Sequence, residues 1–511
     1  MLFLSQSVKF IRKGVALLLL PLLASSCQWV MDDYDDELTA DDSVSQYINI
    51  TISVSTATNP VTRANPTGGE EGDGREKGIV DRENKVDHVT IIFYRNANGL
   101  NASEASAQAT PIDFVGYYET TLDENYTPVT GTHYPDEIYY TTGEQELPLQ
   151  LQSASQYRII VVANADLTNQ ITVGDAAVSN LATVREMMRS GVYADSGVGI
   201  DAKNFIMTSE KDDELNYSYS IYNKTLNRRT LVFDNIHIER MAARIDFWAN
   251  NSNGYKTSSD DSRYENTPGY EYTIYKPGTT IDTGDRFVLT SITPFNLNNG
   301  DEYLLKRVTT GFGENSTTTW LGNETLSNYV LDPHTTAKTS TTEHPTYFAS
   351  TLTSVISDFS NSYTITMASQ HPAAPQASPI LNVEGKDNII LCYPKENTLQ
   401  PGVTSLYYYA TGLAFEGYYY QSGKTTGERR VYYYFIRHQG EQNTAYDVWT
   451  PNNIEDAKTT LCPSTTAMNY GIVRNNIYRI SVNKVAFDAG TLELSIAVHD
   501  WRNVQHPDIF I

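Results

Sequence analysis

Two segments near opposite ends of the chain alternate aliphatic and polar residues with a period of two. Ile48, Ile50, Ile52 and Val54 alternate with Asn49, Thr51 and Ser53, and Leu492, Leu494, Ile496 and Val498 alternate with Glu493, Ser495 and Ala497. Successive strand side chains point to opposite faces, so each segment predicts a β-strand with one apolar face. Much of the chain between them reads the same way. Strands are expected at 85–96, 229–238, 286–294, 303–308, 388–393, 405–415, 430–438 and 476–485, and 156–163 (QYRIIVVA) reads as a strand buried on both faces. A short helix is expected over 181–190, and 205–209 reads as an edge or connection. A surplus of Tyr (36, against 8 Met) also favours pleated surfaces. At 511 residues the chain exceeds what one core usually serves, and 40% hydrophobic residues suffice to bury more than one. The expected fold is therefore mainly β, as sandwiches with few short helices.

The first residues read as an export signal. Lys9, Arg12 and Lys13 precede an apolar run over 14–24, which is too short for a spanning helix, and Ala24-Ser25-Ser26-Cys27 follows at once. Small residues directly before a Cys form a lipobox, in which Cys27 takes a diacylglycerol and becomes the new N-terminus. The bland alternative is an ordinary signal peptide with an incidental Cys. An acidic tether follows (Asp32, Asp33, Asp35, Asp36, Glu37), then the first strand. Between that strand and the next lies a Pro-, Gly- and Asn-rich loop with almost no strand or helix propensity. Arg63-Ala64 lies in it, open to a trypsin-like cut, with Arg75 and Arg82 downstream.

The formal net charge of −24 argues against nucleic-acid binding. No nucleophile elbow, phosphate-binding loop or paired-histidine zinc motif occurs, and the nine His residues are scattered. Neither an enzyme nor a cofactor or metal is expected. With Cys27 lipidated, Cys392 and Cys462 remain, and both a bridge and two buried free thiols stay open. The runs Tyr407–Tyr409, 418–420 and 432–434 could form a stacking platform for sugar rings, or could close a sandwich with their hydroxyls in water.

The chain ends on Trp501 and, after a polar stretch, Ile509-Phe510-Ile511. Ends stay loose unless tied down, so these apolar residues need a site on this molecule or on another copy. If a cut at Arg63 released the first strand, its groove would expose unpaired backbone and apolar pockets. A C-terminal strand from a neighbour could fill it by strand addition, and four buried aliphatic side chains would contribute roughly 6–12 kcal/mol. Head-to-tail donation yields an open filament.

Several motifs resemble the fimbrillins, subunits of type V pili of Gram-negative anaerobes. They are Val161-Val162-Ala163-Asn164, Met207-Thr208-Ser209, Ile238-Glu239-Arg240-Met241-Ala242-Ala243-Arg244-Ile245, Gly471-Ile472-Val473-Arg474-Asn475-Asn476-Ile477-Tyr478-Arg479-Ile480, and Val498 with Trp501. The resemblance implies two transthyretin-like β-sandwich domains and export as an outer-membrane lipoprotein. It also implies cleavage by an arginine-specific protease at Arg63–Ala64 and insertion of one subunit's C-terminal strand into its neighbour. The implied organisation is a signal over 1–27, a tether and removable strand over 28–63, and domains over 64–235 and 236–511, the latter including the donor strand at 491–511. The implied partners are copies of the chain or related pilins, in a surface fimbrium supporting adhesion and biofilm formation. The Thr-rich insertion near 309–345 departs from the family pattern. The competing function is a monomeric or tip surface lipoprotein that binds glycan or protein ligands.

Overall fold

Strands dominate the molecule, as the period-two text requires. The computed structural model describes residues 45–54, 83, 85–96, 112–121, 123–124, 139–147, 157–167, 187–189, 205–209, 219–223, 228–314, 316, 318–320, 329–338, 347–359, 363–370, 381–383, 385–437, 448–463, 470–486 and 492–500. The first large sheet uses residues up to Arg240. Its strands are β1 (Ser45–Val54), β2 (His88–Asn96), β3 (Ile112–Thr121), β4 (Asp123–Glu124), β5 (Tyr139–Thr141), β6 (Gln145–Glu146) and β7 (Tyr157–Ala163). After β8 (Met188–Arg189), which belongs to a separate two-stranded sheet, it continues with β9 (Met207–Ser209), β10 (Tyr219–Asn223) and β11 (Arg228–Arg240). In space the order is β3-β2-β7-β9-β11-β1-β5-β4, with β10 beside β11 and β6 beside β1.

The chain then turns at Met241–Ala243 and builds a second sheet. It begins with β12 (Arg244–Trp248), β13 (Tyr255–Lys256), β14 (Gly269–Tyr275) and β15 (Asp282–Phe295). Short pieces follow: β16 (Leu297–Asn298), β17 (Glu302–Tyr303), β18 (Arg307–Thr309), β19 (Thr318–Trp320), β20 (Tyr329–Leu331) and β21 (Phe348–Ser350). The second sheet resumes with β22 (Ile365–Thr366), β23 (Leu381–Val383), β24 (Lys386–Cys392), β25 (Gly412–Tyr420), β26 (Glu428–Phe435), β27 (Asn476–Ala486) and β28 (Leu492–Asp500). Its order is β23-β24-β12-β27-β14-β15-β25-β26, with β13 beside β14, β22 beside β15 and β28 beside β27. The described residues from Gln46 to Asp500 belong to one compact unit.

The strongest patterns behave as read. β7 is buried on both faces, with Ile159, Ile160, Val161, Val162 and Ala163 all in the core. Three local expectations are corrected. Residues 207–209 are an interior strand rather than an edge, because β9 pairs with β7 on one side and β11 on the other. Met188–Arg189 pair with β17 as a strand where a helix over 181–190 was expected; 181–186 and 190 lie outside the described residues. Leu406–Tyr409 form a helical turn, so the strand expected from 405 begins only at Gly412. Three consecutive Tyr carry strand propensity, but Leu406, Tyr407 and Tyr409 all reach the core from one turn, and packing prevails.

Within the 309–345 insertion, β19 and β20 fold back on either side of β18 as a small three-stranded sheet.

Candidate functional site

The first strand lies inside its sheet. One edge of β1 pairs with β11; the other pairs antiparallel with β5 (Thr51 to Thr141, Ile52 to Tyr140, Ser53 to Tyr139) and with β6 (Tyr47 to Glu146, Ile48 to Gln145). Between those stretches Thr142 fastens the strand: its backbone N–H donates to the Ile50 carbonyl (3.0 Å), and its hydroxyl accepts from the Ile50 N–H (2.9 Å). The Thr141 hydroxyl donates to the Asn49 side chain at 3.1 Å. Ile48, Ile50 and Ile52 are fully buried in the same core as Val89, Ile91 and Ile238. At about 1.5–3 kcal/mol each, these side chains contribute roughly 4.5–9 kcal/mol. Val54 belongs to the strand, and its side chain lies outside the described residues, as do Cys27, Arg63, Ala64, Arg75 and Arg82. Removing β1 would separate the β4-β5-β6 flap from the rest of the first sheet.

At the other end, β28 pairs antiparallel with β27 of the same chain, from Asn476–Asp500 to Val485–Leu492. Leu492, Leu494, Ile496 and Val498 therefore sit in a strand that already has a backbone partner. Trp501, Ile509, Phe510 and Ile511 lie outside the described residues.

The motifs at 161–164, 207–209, 238–245 and 471–480 come together where the two sheets join. Glu83, on the segment entering β2, is fully buried. Arg244 donates to it (3.0 Å) and grips Asp246 through two bonds (2.9 and 2.8 Å). Arg240 donates to the Glu83 carbonyl (2.9 Å) and to the Asn475 side chain (3.0 Å), and Tyr393 donates its hydroxyl to Glu83. The Asn475 N–H reaches the Ala242 carbonyl at 2.8 Å. Asn475 and Asn164 both take the left-handed conformation, with φ of 59° and 58°. Asn tolerates that region, and here its side chain also ties neighbouring segments together. Asn164 donates to the carbonyls of Lys85 (2.8 Å) and Phe205 (2.9 Å).

Beside this joint, Arg474 binds Glu396 (2.9 Å) with Glu302 at 3.8 Å, and Lys306 binds Glu239 (3.0 Å), all fully buried. Burial works against the Arg474 charge, but Glu396 and Glu302 outweigh it and raise its pKa. Burial pushes the Glu302 carboxyl up to about 8, against the opposing pull of Arg474. The sequence motifs marked these residues, but nothing in their spacing announced a shared ionic joint.

Cys392 and Cys462 are free and buried in separate core clusters. Burial raises both thiol pKa values, that of Cys462 to about 12. Most of the Tyr runs serve the core: Tyr407, Tyr409, Tyr420, Tyr432, Tyr433 and Tyr434 are buried, which leaves few faces for stacking sugars. Among the described residues no group of three or more His, Cys, Asp or Glu is placed to hold a metal ion.

No family model matches the chain, and no curated protein matches its sequence. Among solved structures it is similar to the tip fimbrial protein Mfa3 from Porphyromonas gingivalis with C-terminal truncation (13% identity, TM-score 0.38, 89% of this chain and 100% of that one). It is also similar to a fimbrilin (fimA) from Porphyromonas gingivalis W83 (12%, 0.37, 91% and 99%) and to a fimbrial assembly protein from Parabacteroides distasonis (8%, 0.32, 89% and 99%).

Proposed function

We propose that the chain is a structural pilus subunit, exported as a lipoprotein on Cys27 and organised as domains over 64–235 and 236–511. A cut in the loop after β1 activates it, and the C-terminal end of one copy then replaces β1 of the next. The observation that carries this reading is the position of β1. It is an interior strand with three core isoleucines, yet its covalent link to the rest of the sheet runs through a sequence stretch containing Arg63 and with almost no strand or helix propensity. A strand built in that way can leave once the stretch is cut, and its departure opens a groove with two unpaired edges.

Glu83 favours Arg63 over Arg82 as the cleavage site. Its side chain and carbonyl are both engaged in the buried joint, so the bond after Arg82 abuts a fixed residue, and a protease must draw residues on both sides of the bond into its cleft. Of the expected donor segment 491–511, β28 already pairs with β27, which favours residues 501–511, with Trp501, Ile509, Phe510 and Ile511, as the part that is donated.

Limited trypsin treatment of the purified precursor tests the reading. The expected result is a new N-terminus at Ala64 followed by detergent-resistant ladders. A chain cut at Arg63 that stays monomeric at high concentration would refute the exchange.

A further inference from the structure

A third buried ionic group lies apart from the joint and from β1. Lys338 follows the short 3-10 turn Thr335–Ala337 at the end of the insertion, and its side chain is fully buried. Its ammonium is in contact with three oxygens: Asp332 Oδ2 at 2.6 Å, Asn397 Oδ1 at 2.7 Å and the Thr398 carbonyl at 3.0 Å. The Asn397 carboxamide is equally fixed. Its Nδ2 donates to the Tyr409 carbonyl (2.7 Å), the Thr411 hydroxyl (2.8 Å) and the Asn296 carbonyl (3.4 Å), which turns Oδ1 toward the lysine. Its backbone is clamped to Ile472 by two bonds of 2.9 Å. Asp332 is held by the Thr398 N–H (2.7 Å) and hydroxyl (3.0 Å), and it too is buried.

We propose that Lys338 and Asn397 become joined by an intramolecular isopeptide bond, with Asp332 as the proton carrier. The amine is held against both a carboxamide and a carboxylate, all three buried, so positioning supplies much of what the reaction needs and hydrolysis has no ready nucleophile. A buried ammonium–carboxylate pair costs desolvation energy on both sides, and passing one proton from Lys338 to Asp332 leaves a neutral amine and a neutral acid. Burial lowers the lysine's pKa in the same direction, against the opposing pull of Asp332. The amine lone pair on Nζ then forms a bond to Asn397 Cγ, and the carbonyl π pair moves onto Oδ1. When that pair returns, the Cγ–Nδ2 bond breaks and the nitrogen leaves with a second proton from Nζ, as ammonia. Ammonia takes the proton held by Asp332 and departs as ammonium. The remaining amide N–H faces the restored carboxylate. No oxidant, reductant or co-substrate is consumed.

The bond would close a covalent loop between the base of the Thr-rich insertion and the segment leading into β25. It stands independently of the strand-exchange reading, since it forms within one chain. Mass spectrometry of the full-length protein tests it. The intact chain should be lighter than its sequence by one ammonia, and a tryptic digest should contain a branched peptide joining Lys338 to Asn397, with no cut after Lys338. Asp332→Asn should restore the unlinked mass while preserving the shape of the site, and Lys338→Met should do the same. A wild-type digest with a free peptide ending at Lys338 would overturn the proposal, as would a branched peptide persisting in Asp332→Asn, which would remove the assigned proton carrier.

Discussion

Truncating Ile50 to Ala tests whether β1 is a removable plug. Ile50 is fully buried at the centre of β1, fastened to Thr142 on one edge with β11 on the other. Removing its side chain beyond Cβ should cost about 2–5 kcal/mol, combining lost transfer energy and an unfilled cavity. In the intact precursor this loss is partly masked, because the tether keeps β1 at an effective concentration on the order of millimolar. A cut at Arg63 removes that advantage. The fragment ending at Arg63 is then held only by its own contacts: roughly 4.5–9 kcal/mol from three isoleucines plus backbone pairing, against about 4–15 kcal/mol lost on association. That balance is narrow, as an exchangeable strand requires. Ile50→Ala should shift it by a factor of roughly 30 to several thousand, at 1.4 kcal/mol per tenfold. Size-exclusion chromatography after trypsin treatment, with mass spectrometry of the eluted fragment, reads retention directly, and the rate at which ladders form reads exchange. The variant should release the fragment sooner and polymerise faster. If wild type and variant retain the fragment equally and form ladders at the same rate, β1 is not the element whose release limits assembly.

Three further outcomes follow from the same geometry. Deleting 501–511 should leave the melting temperature unchanged and abolish ladders, whereas deleting 491–511 should also lower stability because β27 loses a partner; ladders formed by the shorter deletion would return the donor role to β28. Glu83→Ala should cost about 3–5 kcal/mol by leaving Arg244 and the Tyr393 hydroxyl short of a buried acceptor, and a melting temperature within a degree or two of wild type would show that the joint is not held through Glu83. Glu302 has a folded pKa raised by burial to about 8, above its unfolded value, so its contribution is fully present below about pH 4.5 and is lost as pH rises through 8. Denaturant titrations should therefore show the stability gap between wild type and Glu302→Gln moving in favour of the variant from pH 5 to pH 8, and a pH-independent gap would contradict the raised value.

The elements legible in the sequence were those whose periodicity agreed with their packing. β1, β2, β7, β27 and β28 alternate cleanly or are apolar throughout, and each appears within a few residues of its expected place. The errors fall where local preference and tertiary demand diverge. Tyr407–Tyr409 carry strand propensity but are folded into a helical turn that sends Tyr407 and Tyr409 into one core. Met207–Ser209 are too short to look interior, yet Ser209 substitutes a side chain for a ladder partner, its hydroxyl accepting from the Val161 N–H at 2.7 Å. The buried ionic groups were opaque for a different reason. Glu83, Arg244, Asp246 and Asn475 look like surface residues in a chain with 61 acidic and 37 basic side chains, and only long-range pairing selects the few that are enclosed.

That pairing also separates two segments that look alike in the sequence. β1 and β28 look interchangeable as text, four aliphatic residues at period two each. In the fold they are not, because β1 is flanked on both edges whereas β28 pairs only with β27 among the described strands. Lifting β28 off β27 to serve a neighbour would uncover a strand whose Tyr478, Ile480 and Val482 belong to the second core. The donor would lose about as much backbone pairing as the acceptor gained, and the exchange would have little net drive. If residues 501–511 are the donor, as proposed, β28 can keep its pairing with β27 while the exchange proceeds. A polymer driven by that segment needs β28 to stay in place as the rigid root from which the donor extends.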